Sequence, residues 1–214
     1  MPSSSASLAR RERQALCDTA LALDPAAPTL CGDWDVAMLL AHLIVRERRP
    51  LSAGGIMIPR LAQVTERAMA KEAARGVPAM VETLRKAPLT PYSLPVVERF
   101  TQTLEYVVHH EDLRRGQPGW EPRELPAEDV EELWTLVSRS GSYLGRNLTV
   151  PTRIARSDRP DTSARFSKGD DPVLVTGPVL ELVLWAFGRT AVRDVTYHGS
   201  DEALGRLQES DRRV

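Results

Sequence analysis

The sequence predicts an α+β fold: an antiparallel helical bundle followed by a small C-terminal α/β domain. Three observations predict it. Apolar residues recur at helix spacing over long stretches up to residue 147. The links between those stretches are short and marked by proline and glycine, which sets consecutive helices side by side and antiparallel. Beyond residue 147 the pattern changes to short apolar runs separated by polar turns, as strands and one brief helix require. The boundary is accordingly expected near residue 148, dividing the chain into 1–147 and 148–214. No repeat period recurs across it. With 214 residues, 42% of them hydrophobic, the chain can bury a core in one large domain or two modest ones.

Leu8, Leu16, Ala20 and Leu23 predict a first helix, stopped by Asp24-Pro-Ala-Ala-Pro28. Asp33 or Asp35 supplies the cap of a second helix over Val36–Arg48. Its inner face is Leu39, Leu40 and Leu43, with His42 among them. Pro50 ends it, and Ser52-Ala-Gly-Gly55 is a loop. A third helical region starts near Pro59 and is interrupted at Gly76 and Pro78. Pro88, Pro91 and Pro95 mark an extended linker. A fourth helix runs from about Val96 to Arg115 and is closed by Gly116-Gln-Pro-Gly119; a fifth covers roughly 127–145. Strands are expected over 149–154, 163–166, 173–175 and 192–197. An apolar helix over 180–187 ends at Gly188, and a last helix covers 201–207. Trp34 reads as packing at a helix start, Trp120 as the pin of a loop, and Trp185 as filler of the C-terminal core.

Composition narrows the function classes. The net charge of −1 gives no field that draws nucleic acid or an anionic membrane, and no basic stripe or zinc-finger spacing is present. No run of 18 apolar residues exists, and the small polar residues 1–7 are not followed by an apolar core of signal-peptide length. The expectation is a cytoplasmic protein, monomer or homodimer, without nucleic-acid or membrane partners. Cys17 and Cys31 form no CxxC and read as two buried thiols in a reducing compartment.

The chemistry lies in Glu105-Tyr-Val-Val-His109. Residues four apart share one helix face, about 5–6 Å apart at Cβ, so both side chains can reach one ion. His42, on the inner part of the second helix, is the candidate third ligand. Two imidazoles and a carboxylate suit zinc, iron, nickel or manganese and leave positions open for water or substrate. The plainer reading is a surface i,i+4 contact between Glu105 and His109. Asp112, three residues past His109, returns to the same face, where it can orient His109 through its other ring nitrogen or bind a neighbouring arginine. His110 reads as exposed or as a neighbour of the site, and His198 as a turn residue. Arg46, one turn after His42, reads either as part of the same cleft or, with Arg49, Arg114 and Arg115, as a solvated helix face.

The same residues carry a family resemblance. Gly32-Asp-Trp-Asp-Val-Ala-Met-Leu-Leu-Ala-His42-Leu resembles the first ligand helix of the mycothiol-dependent maleylpyruvate isomerase-like proteins, within the wider DinB-like bundle group. Glu105-Tyr-Val-Val-His109-His-Glu-Asp112 resembles their second ligand segment, Glu-x-x-x-His-x-x-Asp. The run from His109 to Arg115, with Trp120-Glu-Pro-Arg123, resembles an actinobacterial subfamily of that group. The stretch from Val175 to Leu204 resembles the accessory α/β domain of the same proteins.

The resemblance implies a DinB-like bundle with His42, Glu105 and His109 as ligands of a divalent metal, most often zinc, and mycothiol as the thiol cosubstrate. It implies a transferase or isomerase in which a metal-held thiolate attacks a small electrophilic substrate. On that reading Arg46 and Arg189 are candidates for binding the cofactor, and Glu111 and Asp112 for the catalytic base. A thiol must come from outside, since no cysteine lies near the ligands in sequence. Maleylpyruvate itself would call for an arginine to hold a dicarboxylate, with Arg189 as the only candidate, and that substrate is not assigned. A non-catalytic metal or small-ligand module and a metal-assisted hydrolase are the alternatives.

Overall fold

The computed structural model describes residues 6–48, 62–86, 102–210 and 212. It divides into two compact units, Met1–Glu121 and Pro122–Val214. The expected boundary near residue 148 falls inside the second unit. The expected helix starts near Pro59 and Val96, the loop 52–55 and the linker through Pro88, Pro91 and Pro95 lie outside the described residues.

In the first unit the described helices are α1 (Leu8–Ala22), α2 (Val36–Arg48), α3 (Ala62–Ala73), α4 (Val77–Arg85) and α5 (Thr103–Arg115). α1 packs on α5 and α4, and α2 on α3 and α4. Ser7 caps α1, its hydroxyl accepting from the Arg10 N–H. Asp35 rather than Asp33 caps α2, accepting from Met38 N–H at 2.8 Å. Gly76, at φ 81°, separates α3 from α4, and Pro78 fits the first turn of α4, where its missing N–H costs no helical hydrogen bond.

α2 is buried almost all round, through Leu39, Leu40, Ala41, Leu43, Ile44 and Val45, so His42 enters the core on an apolar helix. These residues join Leu16, Cys17 and Ala20 of α1, Met80 and Leu84 of α4, and Tyr106 and Leu113 of α5 in one cluster. α1 and α5 also carry buried ionisable groups in matched pairs. Arg13 Nη2 lies 2.7 Å from Glu47 Oε1, and the Tyr106 hydroxyl donates to the same oxygen at 2.6 Å. His110 is buried rather than exposed, with Nδ1 2.8 Å from Glu12 Oε2 and Nε2 3.0 Å from the Thr19 hydroxyl.

The second unit contains α6 (Ala127–Arg139), the one-turn α7 (Gly141–Leu144), β1 (Thr152–Arg156), β2 (Ser163–Ser167), β3 (Val173–Gly177), α8 (Val179–Ala186), β4 (Thr196–His198) and α9 (Asp201–Glu209). The sheet order is β2-β1-β3-β4, with β1 and β3 parallel and both outer pairs antiparallel. α6 packs on α8 and β2, which is why it groups with the sheet. The expected helix over 127–145 breaks at Ser140. Just beyond the break, a Cβ on Gly141 would meet the Arg165 carbonyl at 2.7 Å, so only glycine allows β2 this close. Trp185 is buried against Phe166, as expected of the C-terminal core. No helix among the described residues is long and apolar enough to cross a membrane.

Candidate metal centre

α2 and α5 bring His42, Glu105 and His109 together. Their donor atoms all lie within 4.8 Å of one another. The rings of His42 and His109 meet edge to face with centroids 5.3 Å apart, and His109 Nε2 is 3.5 Å from Glu105 Oε2. The donor set of two imidazoles and a carboxylate fits a divalent transition metal. Among the described residues this group holds three protein donors and no fourth. Both imidazoles are largely buried, whereas the Glu105 side chain keeps 23% of its surface exposed, so solvent reaches the cluster along the carboxylate.

The surroundings orient these donors. Asp112 Oδ2 lies 2.9 Å from His109 Nδ1, as the i,i+3 spacing anticipates, and this carboxylate is fully buried. The proton on Nδ1 therefore points at Asp112 and leaves Nε2 toward Glu105 and His42. Arg46 folds against the cluster, with part of its side chain still exposed. Its Nη2 lies 3.3 Å from Glu105 Oε1 and its Nη1 donates to Gln102 Oε1 at 2.9 Å. Trp34 packs its ring on His42, centroids 4.9 Å apart, so it walls the cluster as well as the helix start.

Charge is set by these contacts. Burial alone would lower the His109 pKa, but hydrogen bonds to Asp112, Cys31 and Glu105 outweigh it and hold the imidazole well above 6.5. Burial would likewise raise Glu105. The His109 hydrogen bond and the charges of Arg46, His109 and His42 bring it down to about 2 instead.

Other expected residues have partners of their own. Glu111 lies on the far side of α5 from His109, two residues along the helix, and its oxygens accept from Arg114 Nη1 at 2.8 Å and Arg115 Nε at 2.6 Å. Arg115 is buried and stacks over Trp120, so it is not part of a solvated face. Arg189 belongs to the second unit, where its Nη1 donates to the Phe187 carbonyl at 2.7 Å. Arg49 lies outside the described residues. A cavity of about 660 Å³ beside α1 is walled by Arg10, Arg11, Arg13 and Arg85, with Asp18 and Gln14, and no member of the metal cluster lines it.

The residue the sequence reading missed is Cys31. It is only partly buried, and its Sγ sits 3.0 Å from Asp112 Oδ2 and 3.6 Å from His109 Nδ1. The segment before it is seated on the end of α5. Leu30 N–H donates to the Asp112 carbonyl at 3.2 Å, which the Gly116 N–H also reaches at 3.2 Å, and Gln117 Nε2 donates to the Pro28 carbonyl at 2.9 Å. Gly116 permits the approach, because a Cβ there would meet the Pro28 carbonyl at 2.5 Å. The Cys31 N–H then donates to Thr29 Oγ1, which itself donates to the Trp34 carbonyl. Cys17, by contrast, sits in the apolar core, where burial pushes its thiol up to about 11.

No protein-family model matches the chain, and no curated protein matches it. Among solved structures it is similar to the crystal structure of the mycothiol-dependent maleylpyruvate isomerase, at 16% identity and a TM-score of 0.57, over 89% of this chain and 90% of that one. At that identity the likeness is one of fold: a mostly helical, DinB-like bundle with a small C-terminal α/β region. Within that fold, the donor clusters described above are groups of residues that could hold a metal ion.

Proposed function

We propose that His42, Glu105 and His109 hold a divalent metal ion, zinc foremost, and that the protein uses it to activate a small thiol, mycothiol foremost, against an electrophilic substrate, as a transferase or isomerase. The observation that carries this reading is the geometry of one buried imidazole. His109 faces two other donors through Nε2 while a buried carboxylate fixes Nδ1. A divalent ion in this position supplies the charge that favours thiolate over thiol near neutral pH.

The chain's own side chains have separable roles. Asp112 is a positioning residue, since its carboxylate is spent on His109 and Cys31. Arg46 holds Glu105 in place and presents a part-exposed guanidinium at the open edge, where it can pair with a polar or anionic group of the thiol or its substrate. Trp34 and the apolar residues of α2 keep water from the back of the cluster. With Glu111 turned to Arg114 and Arg115, the described residues offer no carboxylate base beside the open edge, which weighs against the hydrolase reading. A donor set of three, with an exposed edge, favours an active centre over a closed metal store.

The test is calorimetric. Zinc-loaded protein is titrated with mycothiol and with its S-methyl derivative. The free thiol is expected to bind more tightly, and the difference is expected to vanish in His42→Ala. Equal binding of the two ligands would overturn sulfur coordination.

A further inference from the structure

His109 has a second donor nitrogen, and it also lies in a donor set. Nδ1 is 2.9 Å from Asp112 Oδ2 and 3.6 Å from Cys31 Sγ, Sγ is 3.0 Å from Asp112 Oδ2, and the donor atoms of the three residues lie within 4.8 Å of one another. Asp112 is fully buried and His109 nearly so, while Cys31 keeps part of its surface exposed. An ion therefore has a way in from the Cys31 side. The set differs in kind from the first one, because it contains sulfur, and thiolate ligands select soft cations.

We propose that Cys31, Asp112 and Nδ1 of His109 form a second cation position, which takes thiophilic ions such as Cd²⁺ or Cu⁺. In a tetrahedral zinc site, with bonds of about 2.0 Å to nitrogen or oxygen and about 2.3 Å to sulfur, neighbouring donors sit about 3.3–3.6 Å apart, and a larger ion such as Cd²⁺ widens these spacings. The sulfur–nitrogen distance of 3.6 Å already equals the zinc spacing. The two contacts to Asp112 open by at least roughly half an ångström as the ion replaces the protons that now bridge them. The Cys31 thiol proton is released to solvent on binding.

The two positions share one imidazole. A neutral ring carries one N–H. A metal on Nε2 leaves that proton on Nδ1, donated to Asp112; a metal on Nδ1 leaves it on Nε2, donated to Glu105. Filling one position therefore places a proton in the other, and a soft ion bound at Cys31 expels the ion held by His42, Glu105 and His109. This exclusion rests on the first position binding metal, as proposed above, whereas the second position stands without it.

Cd²⁺ is the probe. Added to the metal-free full-length chain, it is expected to give a sulfur-to-cadmium charge-transfer absorption in the ultraviolet. The absorption persists in His42→Ala and is absent in Cys31→Ser. Added to the zinc-loaded protein, Cd²⁺ releases zinc to a chromophoric chelator, and the release is lost in Cys31→Ser. In the unmodified chain Cd²⁺ also protects Cys31 from alkylation, mapped by mass spectrometry, a readout that needs no variant. No charge-transfer absorption, an absorption that survives Cys31→Ser, or unprotected Cys31 overturns the second position. Cadmium bound through Cys31 with all the zinc retained overturns the exclusion. Because the His42→Ala arm lacks the first position, its result separates failure of this proposal from failure of the first.

Discussion

Asp112→Asn changes one atom on a side chain with no solvent exposure, and its effect on metal affinity follows from what that carboxylate holds. Its Oδ2 takes the Nδ1–H of His109 at 2.9 Å. Asparagine keeps an acceptor there but loses the charge. A charge-assisted hydrogen bond contributes about 1.5–3 kcal/mol and a neutral one about 0.5–1.5, so the imidazole loses on the order of 1–1.5 kcal/mol of support as a ligand. That is about a tenfold loss of affinity, at the lower end of the range typical for such outer partners. The same carboxylate also stabilises the protonated imidazole that competes with the metal, which is why His109 is held well above 6.5. Where the proton competes, the substitution weakens metal and competitor together. The loss should therefore be small at pH values below the folded pKa of His109 and widen as the pH rises through it. Competition against a chromophoric zinc chelator across that range measures it, with circular dichroism to show that the helices persist. An affinity unchanged at every pH, or a loss that grows toward acid, would rule out this role for Asp112.

The metal-free protein should show opposed pH slopes. His109 has a raised folded pKa, so its contribution to stability is complete below about 6.5 and is lost as pH rises through the folded value. Glu105 falls from 4.5 to about 2, so its contribution, on the order of 3 kcal/mol, is present above 4.5 and lost as pH drops toward 2. Urea midpoints of the metal-free chain should peak between those limits, while the metal-loaded chain gains stability with pH through the His109 range; identical profiles would contradict the assigned contacts. Glu47→Ala leaves the buried Arg13 guanidinium with the Leu84 carbonyl and the Tyr106 ring but no carboxylate, and removes the acceptor of the Tyr106 hydroxyl, which should cost about 3–5 kcal/mol by denaturant titration. Gly116→Ala should push the 28–31 segment off α5, lowering stability and exposing Cys31 to faster alkylation while zinc binding at the first position persists.

How much of this was legible in the sequence depends on range. Glu105, His109 and Asp112 share one helix, so their i,i+4 and i,i+3 relations needed only the helical period, and the apolar run around His42 carried that residue into the core. The end of α2 behaved differently. The sequence offered Arg46 both as part of the cleft and as a solvated residue, and its contacts with Glu105 and Gln102 depend on how α2 and α5 cross. Cys31 was not legible at all, because its contact with His109 spans 78 positions and depends on a loop that only Gly116 allows to come so close. The signal available was the Gly116-Gln117 pair beyond α5, which reads as a simple helix stop until Pro28 is known to sit on it. α6 was assigned to the bundle because its period and length match those helices, and periodicity does not say which partner a helix packs on.

The most direct measurement is anomalous diffraction at the zinc edge from crystals of the zinc-loaded chain. A peak bonded to His42, Glu105 and His109 Nε2 is expected, with Asp112 still on Nδ1. A peak at other residues, or none in a protein given stoichiometric zinc, would contradict it.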